Sequence, residues 1–152
     1  MREDGGIWYD ANGGAWLDPT NPAVLSYITS LVSECAELGF DEILLDWFCY
    51  PSTGALDAIA NGGDHTQILT DLAKSLRSSL PEGVALSVTL RGSGDNALTV
   101  SEAAELFDRI YLPAGEDAAA VRRQLPEGYD PETRLVVTTA EAPASGSYVI
   151  GD

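Results

Sequence analysis

Apolar positions along this 152-residue chain follow two alternating periods. Leu25, Ile28, Leu31, Val32, Cys35 and Leu38 recur at the three-to-four spacing of one helix face, which predicts an amphipathic helix from Pro22 to about Leu38. Asn21 is the expected N-cap, Pro22 suits the first helical position, and Gly39 suits the left-handed residue just past the end. The stretch GFDEILLDWFCYP, Gly39 to Pro51, then carries a short apolar strand. Strand alternation puts Glu42, Leu44 and Asp46 on one face and Ile43, Leu45 and Trp47 on the other, where Trp47 is expected to pack.

The same alternation repeats down the chain. Asp64-His-Thr-Gln67 resembles a capping box and opens a helix carrying Ile68, Leu69, Leu72, Leu76 and Leu80. Pro81-Glu-Gly83 turns into a strand at 84–91, with Val84, Leu86, Val88 and Leu90 facing one way and Ala85, Ser87, Thr89 and Arg91 the other. Thr99 to Glu102 caps a helix to Phe107, and Arg109–Leu112 reads as a strand. A helix near 116–125 and a turn over Pro126–Pro131 lead to a strand at Arg134–Thr139, with Glu141 just beyond it and a stub at Tyr148–Ile150. Ahead of all this, residues 5–17 read as a hairpin around Asn12-Gly13, a type I′ signal that would set Tyr9 opposite Trp16 with Trp8 nearby. The expected organisation is one domain over 1–152: the hairpin 5–17, βα units over 22–140, and a tail 141–152.

Strands alternating with helices through short connections predict a parallel α/β sheet. A doubly wound sheet usually buries both strand faces in apolar residues, whereas here Glu42/Asp46 and Ser87/Thr89/Arg91 make one face polar. A barrel tolerates polar side chains inside, above all near its C-terminal mouth. No strand is followed by the glycine-rich turn of a dinucleotide fold; Arg-Gly-Ser-Gly-Asp at 91–95 is a weak echo of it. The expected fold is therefore a partial (β/α)8 TIM-type barrel with its first strands missing, since a whole barrel takes about 250 residues.

Composition narrows the function classes. Twenty-four acidic against eight basic residues give a net charge of −16, which disfavours nucleic acid and anionic membrane surfaces as partners. Cys35 and Cys49 are expected as free thiols, and with His65 as the lone histidine no metal site is expected and no cofactor is implied. His65, following Asp64, reads as a surface or cap histidine. No signal peptide precedes the hairpin in these residues, so localisation stays open.

From Trp16 to Pro51 the chain resembles a glycoside hydrolase family of TIM-barrel proteins distantly related to alpha-amylases. The resemblance rests on Trp16-Leu-Asp-Pro19, the helix, and Gly39-Phe-Asp-Glu-Ile-x-x-Asp46-x-x-x-x-Pro51, with Trp8 and Gly14 fitting the hairpin. It implies that 40–47 is the fourth barrel strand, with three strands lying before Met1, and that the parent protein is exported. It also implies Asp46 as nucleophile or charge-stabilising carboxylate. Two departures are visible: alpha-amylase relatives carry an arginine two residues before the nucleophile, where Leu44 stands, and an acid at the end of the next strand, where Arg91-Gly92 stands.

Glycoside hydrolysis calls for a second carboxylate. Asp95, three residues beyond Gly92, and Glu141 are the candidates for it. Arg91, arriving at its strand end as Asp46 does, can hold Asp46 ionised. Trp8, Trp16, Tyr50 and Tyr111 are the aromatic candidates for contact with a sugar ring, while Asp41 and Glu42 read as structural. The expected function is a carbohydrate-active barrel that hydrolyses O-glycosidic bonds in a polysaccharide or glycoconjugate. The alternatives are a non-catalytic sugar-binding or scaffold barrel, and a truncated fragment without activity. Exposed sheet edges in a partial barrel would give a route to self-association.

Overall fold

The computed structural model describes residues 6–60, 63–91 and 97–151. Helix α1 spans Pro22–Glu37, opened by Asn21, whose side chain accepts the Ala23 amide at 2.9 Å. Gly39, at φ 92°, then reverses the chain, a conformation that costs glycine little. Strand β1 is Glu42–Leu45, followed by α2 (His65–Ser79) and β2 (Ala85–Thr89). Helix α3 (Val100–Leu106) begins in a reciprocal Thr99–Glu102 capping box, and β3 (Arg109–Leu112) follows. Short helices α4 (Ala118–Arg122) and α5 (Pro131–Arg134) precede β4 (Leu135–Thr139) and β5 (Ser147–Ile150).

Two local features differ from the sequence expectation. Tyr9 pairs with Ala15 rather than Trp16. The side chain of Asp10 accepts the amides of Asn12 and Gly14 at 2.8 and 2.9 Å, which closes a longer turn with Gly13 at φ 82°. A Cβ on Gly14 would meet the Asp10 carboxylate at 2.9 Å, so a side chain there would push the Asp10 carboxylate aside. The second difference lies in the turn at 126–131, where Asp130 caps the single-turn α5 by accepting the Glu132 amide. That turn aims Arg134 back at α3.

All strand pairs are parallel and the order is β1-β2-β3-β4-β5. A doubly wound sheet reverses its strand order at a switch point; an unbroken consecutive order is an arc of a barrel. The register assigns the faces. Leu86, Val88, Ile110, Leu112 and Leu135 point to the helices and are almost fully buried. The opposite face carries Glu42 and Leu44, Ser87 and Thr89, Arg109 and Tyr111, Val136 and Thr138. The expected partial α/β barrel is thus the observed architecture. Exposed apolar side chains gather at the two ends of the arc: Leu38, Phe40, Leu44 and Trp47 around β1, and Tyr148, Val149 and Ile150 on β5.

The N-terminal end of the sheet is clamped by charge. Asp108 accepts from Arg77 at 2.7 Å and from the Leu86 amide at 2.8 Å. Arg134 donates to the carbonyls of Ala104, Phe107 and Asp108, satisfying the open end of α3, while its guanidinium lies 4.2 Å from the Tyr129 ring centroid. Replacing Arg134 with alanine strands those carbonyls and is expected to lower stability by about 2 kcal/mol, read from the urea midpoint. Arg134→Lys should recover less than half of the loss, because an ammonium cannot reproduce the planar fork.

Candidate functional site

Asp46 stands one residue past the end of β1, on the face of the sheet opposite the helices. Arg91 reaches it from beyond β2, its Nε donating at 2.6 Å and Nη2 at 3.4 Å. Burial pulls the Asp46 carboxyl upward, yet the Arg91 hydrogen bond, the Trp47 amide, the Arg91 charge and the Thr89 hydroxyl outweigh it and hold the group below the ordinary carboxylate range. The Asp46 side chain remains 47% exposed. A pair that open to water contributes little to stability, but it keeps an ionised carboxylate facing solvent at the strand's C-terminal end.

Below it lies a second acid. Glu42 accepts from Ser87, from Arg109 at 2.8 Å and from Tyr111 at 3.1 Å, tying β1 to both β2 and β3. Burial, then the nearby Glu42 charge and its hydrogen bond, push the Tyr111 hydroxyl upward. Four residues of strand separate Glu42 from Asp46, roughly 13 Å of backbone rise. With its carboxylate taken up by three side-chain donors, Glu42 serves as a strut of the inner face.

The remaining sequence candidates fall at different places. Trp16 is half-buried, its indole N–H donating to Asp10 at 3.0 Å and its ring perpendicular to Trp47 at 6.3 Å. Trp8 is buried with its N–H on the Ala55 carbonyl, and Tyr50 is buried with its ring stacked on His65 at 3.7 Å. Neither presents a free face, so the stacking role expected for Trp8 and Tyr50 is not what the geometry gives them; each builds a wall. His65 opens α2 as expected, and its ring covers Tyr50. Glu141 is exposed beyond β4, three strands from Asp46, with its backbone tied to the Thr139 hydroxyl. Asp95 lies outside the described residues. Cys35 and Cys49 are free thiols, and burial raises the Cys49 thiol. Among the described residues, no group of three or more His, Cys, Asp or Glu side chains could hold a metal ion.

Trp47 corrects the alternation rule. It was expected to pack on the helix side, but it takes φ 54°, unlike any other described non-glycine residue, and is 60% exposed. Arg91 lies 4.8 Å from its ring centroid. A cleft of about 620 Å³ runs beside these residues. Its lining includes Leu44 and Leu45, which belong to opposite faces of β1, together with Ile28 of α1 and Leu72 of α2. It therefore wraps the outer edge of β1, and Asp46, Trp47 and Trp16 line it as well.

Consecutive parallel strands backed by helices define part of a TIM-type barrel domain. Residues 1–104 match the model of a family described as a putative glycosyl hydrolase domain, and the chain belongs to that family. Among solved structures it is similar to the Group IV chitinase of Ostrinia furnacalis, with 20% identity and a TM-score of 0.55 over 80% of this chain and 41% of that one. It is similar to a chitinase from Rhizomucor miehei at 18% identity and TM-score 0.54, covering 79% and 44%. A spore cortex-lytic enzyme of Bacillus cereus shares 14% identity and TM-score 0.52 over 80% and 30%. The likeness is one of fold, and the chain spans less than half the length of each of these proteins. No curated protein matches the chain.

The electrostatic account of Asp46 has a direct check. In Arg91→Ala the burial that opposes ionisation is left against weaker compensation, so the Asp46 carboxyl should titrate at higher pH than in the wild type. Carbon-13 NMR of the carboxyl resonance would read the shift, and an unchanged titration would remove Arg91 from the role. The sign for stability follows. A depressed folded-state pKa stabilises above the ordinary carboxylate range and ceases to do so as pH falls through the folded value. Wild type and Asp46→Asn should therefore converge in acid.

Proposed function

We propose that this chain forms part of the catalytic barrel of a glycoside hydrolase acting on a polysaccharide or glycoconjugate, with Asp46 as its key carboxylate. The observation that carries the reading is the ionised Asp46 side chain, set beyond the strand end and held by Arg91 at 2.6 Å. An anionic oxygen at a barrel mouth can stabilise a developing oxocarbenium ion or attack it. Family membership supports the reaction class. The proton donor is drawn from Asp95, which follows β2 in sequence, or Glu141, which follows β4. Kinship with alpha-amylases is part of this proposal and rests on the Trp16–Pro51 motif, while the solved neighbours are chitinases and a cortex-lytic enzyme.

In the same scheme β1 is the fourth strand of eight, which makes β5 the last. The apolar edges of β1 and β5 are then the seams for the other three strands.

Reducing-sugar release from a panel that includes chitin, peptidoglycan and starch tests the reaction in the complete polypeptide carrying this chain. Asp46→Asn should lose at least about 100-fold in kcat with the fold retained. Of Asp95→Asn and Glu141→Gln, only the true donor's replacement should fall comparably. Equal activity in wild type and Asp46→Asn would sink the assignment.

One observation favours a second reading, a sugar-binding barrel without turnover. The hydrogen bonds to Asp46 come from Arg91, Thr89 and the Trp47 backbone, and the donor candidate Glu141 lies three strands away. That reading predicts glycan binding with no release of reducing ends from any member of the panel.

A further inference from the structure

We propose that Trp47 is a carbohydrate-stacking platform, holding the apolar face of one pyranose ring against its indole beside Asp46. The inference rests on the carbohydrate-active reading above and adds to it a binding residue that neither strand alternation nor burial would nominate.

The argument starts from the backbone. Trp47 occupies the left-handed region at φ 54°, where a Cβ crowds the following carbonyl and where glycine or asparagine is the usual occupant. Strain of this kind persists where surrounding structure imposes it, and it gathers at ligand sites. A bulky residue tolerated there for packing would be expected to bury its ring. Trp47 is 60% exposed instead, so burial does little to offset the strain.

The turn has a clear geometric result. By alternation the residue after Asp46 should point to the helix side; the left-handed turn brings the indole to the mouth. There Arg91 stacks over the ring at 4.8 Å and Trp16 stands perpendicular at 6.3 Å, which fixes its orientation. Trp16 is itself anchored by its bond to Asp10 at 3.0 Å. The open ring surface suits the C–H side of a sugar. Next to it, the Asp46 carboxylate can accept from sugar hydroxyls and Arg91 can donate to them.

Asparagine tolerates the left-handed backbone but lacks the ring, so Trp47→Asn separates binding from folding. The probes are soluble pentasaccharides of β-1,4-N-acetylglucosamine, β-1,4-glucose and α-1,4-glucose, titrated calorimetrically into the complete polypeptide carrying this chain. At least one should bind the wild type. Trp47→Asn should raise its Kd by about tenfold or more while leaving Tm unchanged or higher. Trp47→Phe should stay within about threefold of wild type, since it keeps an aromatic face. A Kd within twofold in Trp47→Asn overturns the proposal, whatever happens to Tm, and so does failure of all three sugars to bind. The outcomes also separate the two readings. Trp47-dependent binding without turnover removes the hydrolase and leaves the platform; turnover that needs Asp46 with binding indifferent to Trp47 does the reverse.

Discussion

A carboxyl group on the inner face of a parallel sheet cannot stand alone, and Glu42 sets the terms for everything around it. Burying such a group costs several kcal/mol unless donors surround it. Glu42 collects them from β2 and β3, through Ser87, Arg109 and Tyr111. Three adjacent strands are thereby held in one register, because a one-residue slip would send every donor to the helix side. The same register places Thr89 and Arg91 one layer higher, beside Asp46. The geometry of the mouth is inherited from the strut beneath it.

Much of this was legible in the chain. The caps at Asn21, Asp64 and Thr99, and the glycine after α1, are local chemistry, and they open or close helices where the pattern put them. The polar faces of β1 and β2 were visible as alternation, and from them the pairing of Asp46 with Arg91. Three things were not. Tyr9 meets Ala15 because the Asp10 side chain competes for backbone amides, a preference that a two-residue turn signature does not record. Arg109 read as a charge at a strand start; its role depends on a partner 67 positions away. Trp47 departs from alternation because of a single backbone angle, which no periodicity encodes. Aromatic residues near a strand end also look alike in sequence, so only the fold separates buried Trp8 and Tyr50 from the open Trp47.

The distribution of exposed apolar surface argues along the same line. Scattered single hydrophobic side chains on a surface need no explanation. Here Leu38, Phe40, Leu44 and Trp47 lie on or beside β1, and Tyr148, Val149 and Ile150 lie on β5, the two outer strands of the described sheet. The cleft beside β1 follows one of those edges, and its apolar lining crosses from one face of β1 to the other. Asp46 and Trp47 line this cleft, so the candidate site and the outer edge of β1 share one opening.

The two ends of the sheet do different work, and the difference is physical. At the N-terminal end Arg134 and Asp108 bond mostly to backbone, closing helix α3 and pinning strand β2. Those bonds fix structure and leave no group in reserve. At the C-terminal end the charged groups meet one another in water, Asp46 stays ionised yet half open, and the one left-handed non-glycine residue described sits immediately after it. Bonds there bring little stability, and the backbone there is strained. A chain shaped for stability alone would carry neither feature; a barrel that binds at its mouth needs groups held in place and still unsatisfied. The asymmetry between the two ends is the physical argument behind the proposal that places function at Asp46 and Trp47.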